Sequence, residues 1–279
     1  MYVNKNDEKI LDVIRAGVDD VALPAFWKDD EAPVRDLSDN IVFQMIAEKR
    51  AYSAAQSRLV EKMINNGNLR RAFKEYDISQ AISLTREEVL DHHWPEIKVI
   101  RFKWKVEEII ETAKAICKTR NEFGSFINYL NKIGLPRRIR HVTDIEGFWD
   151  DFDKLLSDLK SRGIPILCKE VTLLHFLESD LRLDSIKPDT IVMQVLMNTG
   201  IIPSKTRSAK RLAIKKLQEY CLMKGLRTQV MDRYILAFGG QTWAKDVVSM
   251  SFCGSRSDCD FQKCPVGKEA LCPPSINRN

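Results

Sequence analysis

The chain has 279 residues, 44% hydrophobic and 30% charged, with a formal net charge of +5. That length allows one large domain or two lobes, and the composition is that of an ordinary globular protein. No apolar run approaches the ~20 residues of a membrane span, and the opening Met1-Tyr-Val-Asn-Lys-Asn-Asp-Glu has no apolar signal stretch. The expected location is therefore the cytoplasm, or the nucleus in a eukaryote, with no membrane partner.

The first helical pattern is Ile10-Leu11-Asp-Val13-Ile14. An acidic, proline-containing connection follows, through Asp19-Asp20, Pro24, Asp29-Asp30-Glu31 and Pro33. Asp36 or Ser38 is placed to cap the next helix. From Asn40 to about Asn65, Val42, Met45, Ile46, Leu59, Val60 and Met63 keep a helical period, and Asn66-Gly67-Asn68 stops it. Short helices are expected over Leu69–Tyr76 and Ile78–Ile82, and from Thr85, which opens a capping box. The longest helix is expected over Val99–Thr119, with Ile100, Trp104, Ile109, Ile110, Ala113 and Ile116 on one side. Another element begins at Phe123, Leu135-Pro-Arg-Arg-Ile-Arg is a basic loop, and residues 144–161 read as a helix.

Arg162-Gly163-Ile164-Pro165 breaks the chain, and helix resumes over Glu170–Glu178. Asp189-Thr190 opens a helix that ends at Gly200. Another runs from about Ser208 to Met223 with Gly225 as its C-cap, and Thr228 is placed to cap a last helix that stops at Gly239-Gly240. No strand alternation is longer than about five residues, so the fold class is all-α. The tail beyond Pro274 is expected to be disordered.

Three features carry chemistry. The helix–break–helix unit at 155–178 can present main-chain N–H groups and a helix N-terminus to a phosphate, with Lys169 in the first turn. The alternative is an ordinary helix hairpin with a solvent-facing lysine. Asp189 sits at a helix N-terminus, where an aspartate is normally a cap; the functional alternative is a carboxylate aimed into a cleft. Lys205, Arg207, Lys210, Arg211, Lys215, Lys216, Lys224, Arg227 and Arg233 face only Glu219 and Asp232 in that segment. It is either a solvated basic face or a surface that follows nucleic-acid phosphates.

Cys253, Cys259, Cys264 and Cys272 fall within twenty residues at C-x5-C-x4-C-x7-C spacing. Four thiolates so close form a ligand set for an iron–sulfur cluster or for zinc. Zinc usually takes C-x2-C knuckles and there is none here, so a [4Fe–4S] cluster is expected over zinc. Disulfides are the weaker reading, because nothing else in the chain suggests an oxidising compartment. Even with such a cluster, its bland role is structural: it would staple a loop that has almost no apolar core of its own.

The order hairpin, aspartate, basic helices, four cysteines resembles the helix–hairpin–helix DNA glycosylase superfamily, the group containing endonuclease III. Ile186-Lys-Pro-Asp189-Thr190-Ile-Val-Met resembles that family's catalytic aspartate segment, and Tyr234-Ile-Leu-Ala-Phe-Gly239 the helix leading into its cluster loop. Residues 42–178, including Ser125-Phe-Ile-Asn-Tyr-Leu and Lys160-Ser-Arg-Gly163, are also similar to 3-methyladenine DNA glycosylase I, which lacks the cysteine loop. The hairpin departs from the family in having Pro165, Ile166 and Leu167 where two glycines would approach a DNA phosphate.

The resemblance implies three segments. Residues 1–38 are an N-terminal helix and linker on the C-terminal lobe, 39–179 a helical lobe ending in the hairpin, and 180–279 a lobe with the catalytic aspartate and cysteine loop. It implies a monomeric enzyme on double-stranded DNA that flips out a damaged or modified base and hydrolyses its N-glycosidic bond. Asp189 would be catalytic, and Lys169 matches the lysine that forms a Schiff base in members with lyase activity, which leaves that step open. Arg162, Gly163, Ile164, Lys205, Arg207, Lys210, Arg211 and Lys215 would contact DNA. Lys49, Arg50, Tyr52 and Gln56 would form the base wedge or pocket, and Cys253, Cys259, Cys264 and Cys272 the metal site. The competing reading is a non-catalytic nucleic-acid-binding module with a metal cluster.

Overall fold

The computed structural model describes residues 1–19, 37–240, 253 and 264–273. Among the described residues there are fourteen α-helices and no strand, an all-α fold. The acidic connection between Asp20 and Pro33, Cys259 and the tail beyond Pro274 lie outside the described residues. The chain divides into two compact units, one of residues 34–136 and 149–176, the other of residues 1–33, 137–148 and 177–279.

In the first of these, α2 (Asp39–Tyr52) starts at Ser38, whose hydroxyl accepts the Ile41 N–H. It buries Val42, Phe43, Ile46 and Ala47 against α7 (Trp104–Phe123), which contributes Val106, Ile109, Ile110, Ala113 and Ile116. The single helical period expected over Asn40–Asn65 is in fact two helices, because α2 stops at Tyr52 and α3 spans Ser57–Asn65. The cause lies across the fold. The buried Lys105 ammonium takes the carbonyls of Ala51 and Ser53, and Arg101 takes that of Ala54 at 2.9 Å. A continuing helix would need those acceptors for its own ladder. Ala54 turns the chain there at φ 55°.

The next expected helix is also shorter. α4 (Asn68–Ala72) gives way to a left-handed turn at Lys74, Glu75 and Tyr76, which packs the Tyr76 ring edge-on against Phe43. Asp77 caps α5 (Ile78–Ala81), and Thr85 caps α6 (Arg86–Ile97) by accepting the Glu88 N–H at 3.1 Å. α7 begins at Trp104 rather than Val99, since Arg101 at φ 73° ends the turn Lys98–Ile100. Trp104 is thereby left 45% exposed rather than on the buried side. Ser125 caps α8 (Phe126–Ile133), whose first N–H bonds the buried Asp39 carboxylate at 2.8 Å. α9 (Asp144–Ser161) and α10 (Glu170–Ser179) each run from one unit into the other.

In the second unit, α1 (Lys5–Asp19) packs Ile10, Leu11, Ile14 and Val18 among buried residues and lies against α13 (Thr228–Phe238). Charge ties it to α12 (Arg207–Lys224). Lys216 bonds Asp7 at 2.7 Å and the Ile201 carbonyl at 2.8 Å, Lys224 bonds Glu8 and Asp12, and Glu219 accepts the N–H groups of Tyr2 and Val3. α11 (Thr190–Asn198) meets α13 so closely at Gly239 that a Cβ there would lie 2.4 Å from Ile191 Cγ2. Thr228 is not the cap of α13. It is a buried first residue of the helix, and Arg227 precedes it without a side-chain cap bond. A short helix not foreseen, α14 (Pro265–Lys268), has proline at its first position and packs on α1, where Pro265 meets Gly17.

Candidate functional site

Lys169, Arg50, Glu108 and Trp104 come together in one unit. The Arg50 guanidinium pairs with Glu108 and lies 4.4 Å from the Trp104 ring centroid. Lys169 Nζ bonds Glu108 Oε1 at 2.7 Å and sits 5.6 Å from the same ring. One carboxylate therefore holds two cations on one indole. Beneath them, burial, with Arg50 and Arg101 close by, pushes Lys105 down to about 8. Phe102 stacks on Trp104 at 5.7 Å, and both rings are exposed.

Of the residues expected to form the base wedge or pocket, Lys49, Arg50 and Tyr52 belong to the last turn of α2, and Arg50 is only 6% exposed because Glu108 and Trp104 hold it inside. Tyr52 and Gln56 are exposed. Of the aromatic residues able to stack on a base, Phe148 and Trp149 are buried.

The hairpin is closed by its own hydrogen bonds. Gly163, left-handed at φ 67°, closes α9 with Gly163 N–H to Lys160 O and Ile164 N–H to Leu159 O, both at 3.1 Å. The Arg162 N–H goes to Asp158 O. Those main-chain donors are therefore used inside the turn. The Arg162 side chain bonds Glu122 and Asp158, which raise its pKa, and covers the rings of Phe123 and Tyr129. Ile164 is fully buried. The main-chain N–H groups of Arg162, Gly163 and Ile164, expected on a DNA phosphate, make bonds within the turn that cap α9.

In the other unit, Asp189 caps α11. Its Oδ1 accepts the N–H groups of Ile191 and Val192, both at 3.0 Å, and its Oδ2 is 3.7 Å from Lys187 Nζ. Glu178 and Asp232 lie in this unit too, 3% and 4% exposed and hydrogen-bonded to each other. Burial raises the pKa of both. Lys169 and Asp189 belong to different units.

The basic segment splits by environment. Lys205 and Arg207 are exposed and Lys210 and Arg211 half-buried at the start of α12. Lys215, expected on DNA, bonds Glu146 at 2.7 and 2.9 Å and covers the Tyr2 ring. Lys216 and Lys224 fasten α1. Arg227 lies 3.7 Å from Asp184 and bonds the Arg182 carbonyl.

Cys253, Cys264 and Cys272 are buried. The Cys253 N–H bonds the Phe238 carbonyl at 3.2 Å, and Pro273 packs on Gly200. Among the described residues no group of three or more His, Cys, Asp or Glu side chains is disposed to hold a metal ion.

Glu108, Lys105, Glu178 and Asp232 were not foreseen. A signal for the last two was present: each is a carboxylate set in an apolar helical run, Leu173-Leu174-His-Phe176-Leu177-Glu178 and Val230-Met231-Asp232. Glu108 carries no such mark, because its partners come from distant sequence.

Compared with known proteins, the chain matches the methyladenine glycosylase family model over residues 27–179. No curated protein and no solved structure matches it. No helix among the described residues is long and apolar enough to cross a membrane. The family match takes in more than half of the chain, including α2 to α10, and the chain belongs to the methyladenine glycosylase family, whose members are DNA glycosylases.

Proposed function

We propose that this DNA glycosylase is of the endonuclease III-like kind, extruding one nucleotide from duplex DNA and hydrolysing its N-glycosidic bond without cutting the strand. The family points to an N-methylated adenine as the first base to test. The observation that carries the reading is Asp189, a carboxylate fixed by two main-chain N–H groups at the start of α11.

As the C1′–N bond breaks, its electrons leave with the base and positive charge grows on the sugar. The Asp189 carboxylate stabilises that charge, or takes the proton of the water that adds to C1′. Lys187 balances the carboxylate before reaction. In this reading Lys169 is not a nucleophile, since Glu108 and the Trp104 ring hold its side chain. Lys205, Arg207, Lys210 and Arg211 supply charge toward the DNA backbone.

Cys253, Cys259, Cys264 and Cys272 would hold a [4Fe–4S] cluster, with zinc as the alternative. Support comes from the donor chemistry and from the burial of the three described thiols beside α1, α11 and α13. Such a cluster would staple this loop and take no part in the hydrolysis.

The test is a panel of duplexes carrying alkylated, oxidised, mismatched and naturally modified bases, with released bases read by mass spectrometry. Release of a base with scission only after alkali is the expected result. No release from any duplex refutes the reading and favours a binding module, and scission before alkali refutes the strictly hydrolytic step.

A further inference from the structure

Glu178 lies in the last turn of α10, just before the segment that delivers Asp189. Its Oε2 accepts the Lys187 N–H at 2.9 Å, and Asp189 N–H in turn bonds the Lys187 carbonyl at 2.8 Å. Gln229, on α13, bonds the carbonyls of Glu178 and Leu183 at 3.2 and 3.0 Å. Asp232 stands three residues further along α13, buried and hydrogen-bonded to Glu178, while its Oδ1 has no hydrogen-bond partner among the described residues.

Two carboxyl groups in contact and out of water cannot both ionise. An ionised Asp232 would leave charge on an oxygen with nothing to solvate it. Glu178 has the Lys187 N–H to receive its charge, so the proton belongs on Asp232. We propose that Asp232 and Glu178 share one proton as a carboxylic acid–carboxylate pair, and that this pair positions Asp189 by anchoring the Lys187 main chain.

The inference rests on Asp189 being the reacting carboxylate. Its charge environment is defined: Arg233 on α13 acts on both acids, Lys187 on Glu178, and Asp189 on Asp232. Burial is the largest cause raising each acid, and for Asp232 the neighbouring Glu178 adds to it. Loss of the shared proton puts two negative charges in one dry site. The pair then separates, Lys187 loses its anchor, and Asp189 leaves its place.

Two substitutions separate proton sharing from packing. Asp232→Asn keeps a donor for Glu178 but cannot ionise, and Asp232→Leu removes the donor. Infrared spectra of the whole protein at neutral pH should show the C=O stretch of a protonated carboxyl in the wild type and not in Asp232→Asn. Single-turnover base release should fall on the alkaline side in the wild type and lose that fall in Asp232→Asn. Asp232→Leu should be slower by more than about tenfold at every pH, the effect of a misplaced reacting group. Hydrogen exchange over residues 184–192 reads the anchor without DNA, and should quicken in Asp232→Leu but not in Asp232→Asn.

A protonated-carboxyl band that survives in Asp232→Asn overturns the shared proton. An alkaline fall that survives, or exchange unchanged in Asp232→Leu, overturns the positioning role. If the wild type releases no base, the proposed function falls instead, and the infrared and exchange results still decide the pair.

Discussion

Residues carry the chemistry here through the groups that hold them. Arg50 is nearly buried, and Glu108 supplies its counter-charge. Glu108→Ala should therefore destabilise the protein by about 3 kcal/mol, the low end for leaving a buried charge uncompensated, as read from urea unfolding. Glu108→Gln, which keeps a polar partner, should cost less. The acid pair imposes a pH dependence of the opposite sense to an ordinary salt-bridged carboxylate. Its folded pKa values lie above the unfolded ones, so the folded state binds more protons between them. Stability from this pair should fall as pH rises from about 4, the unfolded value, through the raised folded values. Melting temperature measured from pH 5 to 8 should show that decline, and Asp232→Asn should flatten it. Asp189 was legible as a cap from its place between Pro188 and an apolar helical run. The grip of Glu108 on Lys169 was not, because it joins residues 61 apart in sequence.

Elements followed the local code where the local code was strong. Ser38, Thr85 and Ser125 cap helices, Gly163 and Gly225 close them in left-handed form, and Asp189 opens α11. The misread boundaries have a common cause. Lys105 and Arg101 draw carbonyls out of α2, and Tyr76 turns the chain to reach Phe43; neither pull is visible in a window of sequence. The close meeting of α11 and α13 makes a direct prediction. Gly239→Ala would bring a methyl within 2.4 Å of Ile191 and 2.9 Å of Val195, and should cost about 1–3 kcal/mol in unfolding experiments. The two ends of α12 should behave differently toward DNA. Replacing Lys205 and Lys210 by alanine should reduce the slope of log affinity against log salt by about two, near 0.9 for each DNA phosphate no longer neutralised. Lys215→Ala should leave that slope alone, since its ammonium is engaged by Glu146.

At the scale of the whole molecule, the family match ends at residue 179, while Asp189, the start of α12 and the cysteine loop all lie beyond it. The all-α class was readable from the absence of strand alternation, and the methyladenine glycosylase likeness from segments within residues 42–178 such as Ser125-Phe-Ile-Asn-Tyr-Leu and Lys160-Ser-Arg-Gly163. The grouping of residues 137–148 with 177–279 was not, because it is set by tertiary contact rather than by any change in composition. Asp189 is the centre of the proposed chemistry. The most direct measurement is single-turnover base release by wild type and Asp189→Asn on the duplex that the panel identifies, with DNA affinity measured on the same samples. Asp189→Asn should lose more than about a hundredfold in rate, as expected for removal of a group acting in the transition state, and bind DNA nearly as before. Base release at the wild-type rate from a folded Asp189→Asn protein would contradict the assignment of Asp189 as the reacting carboxylate.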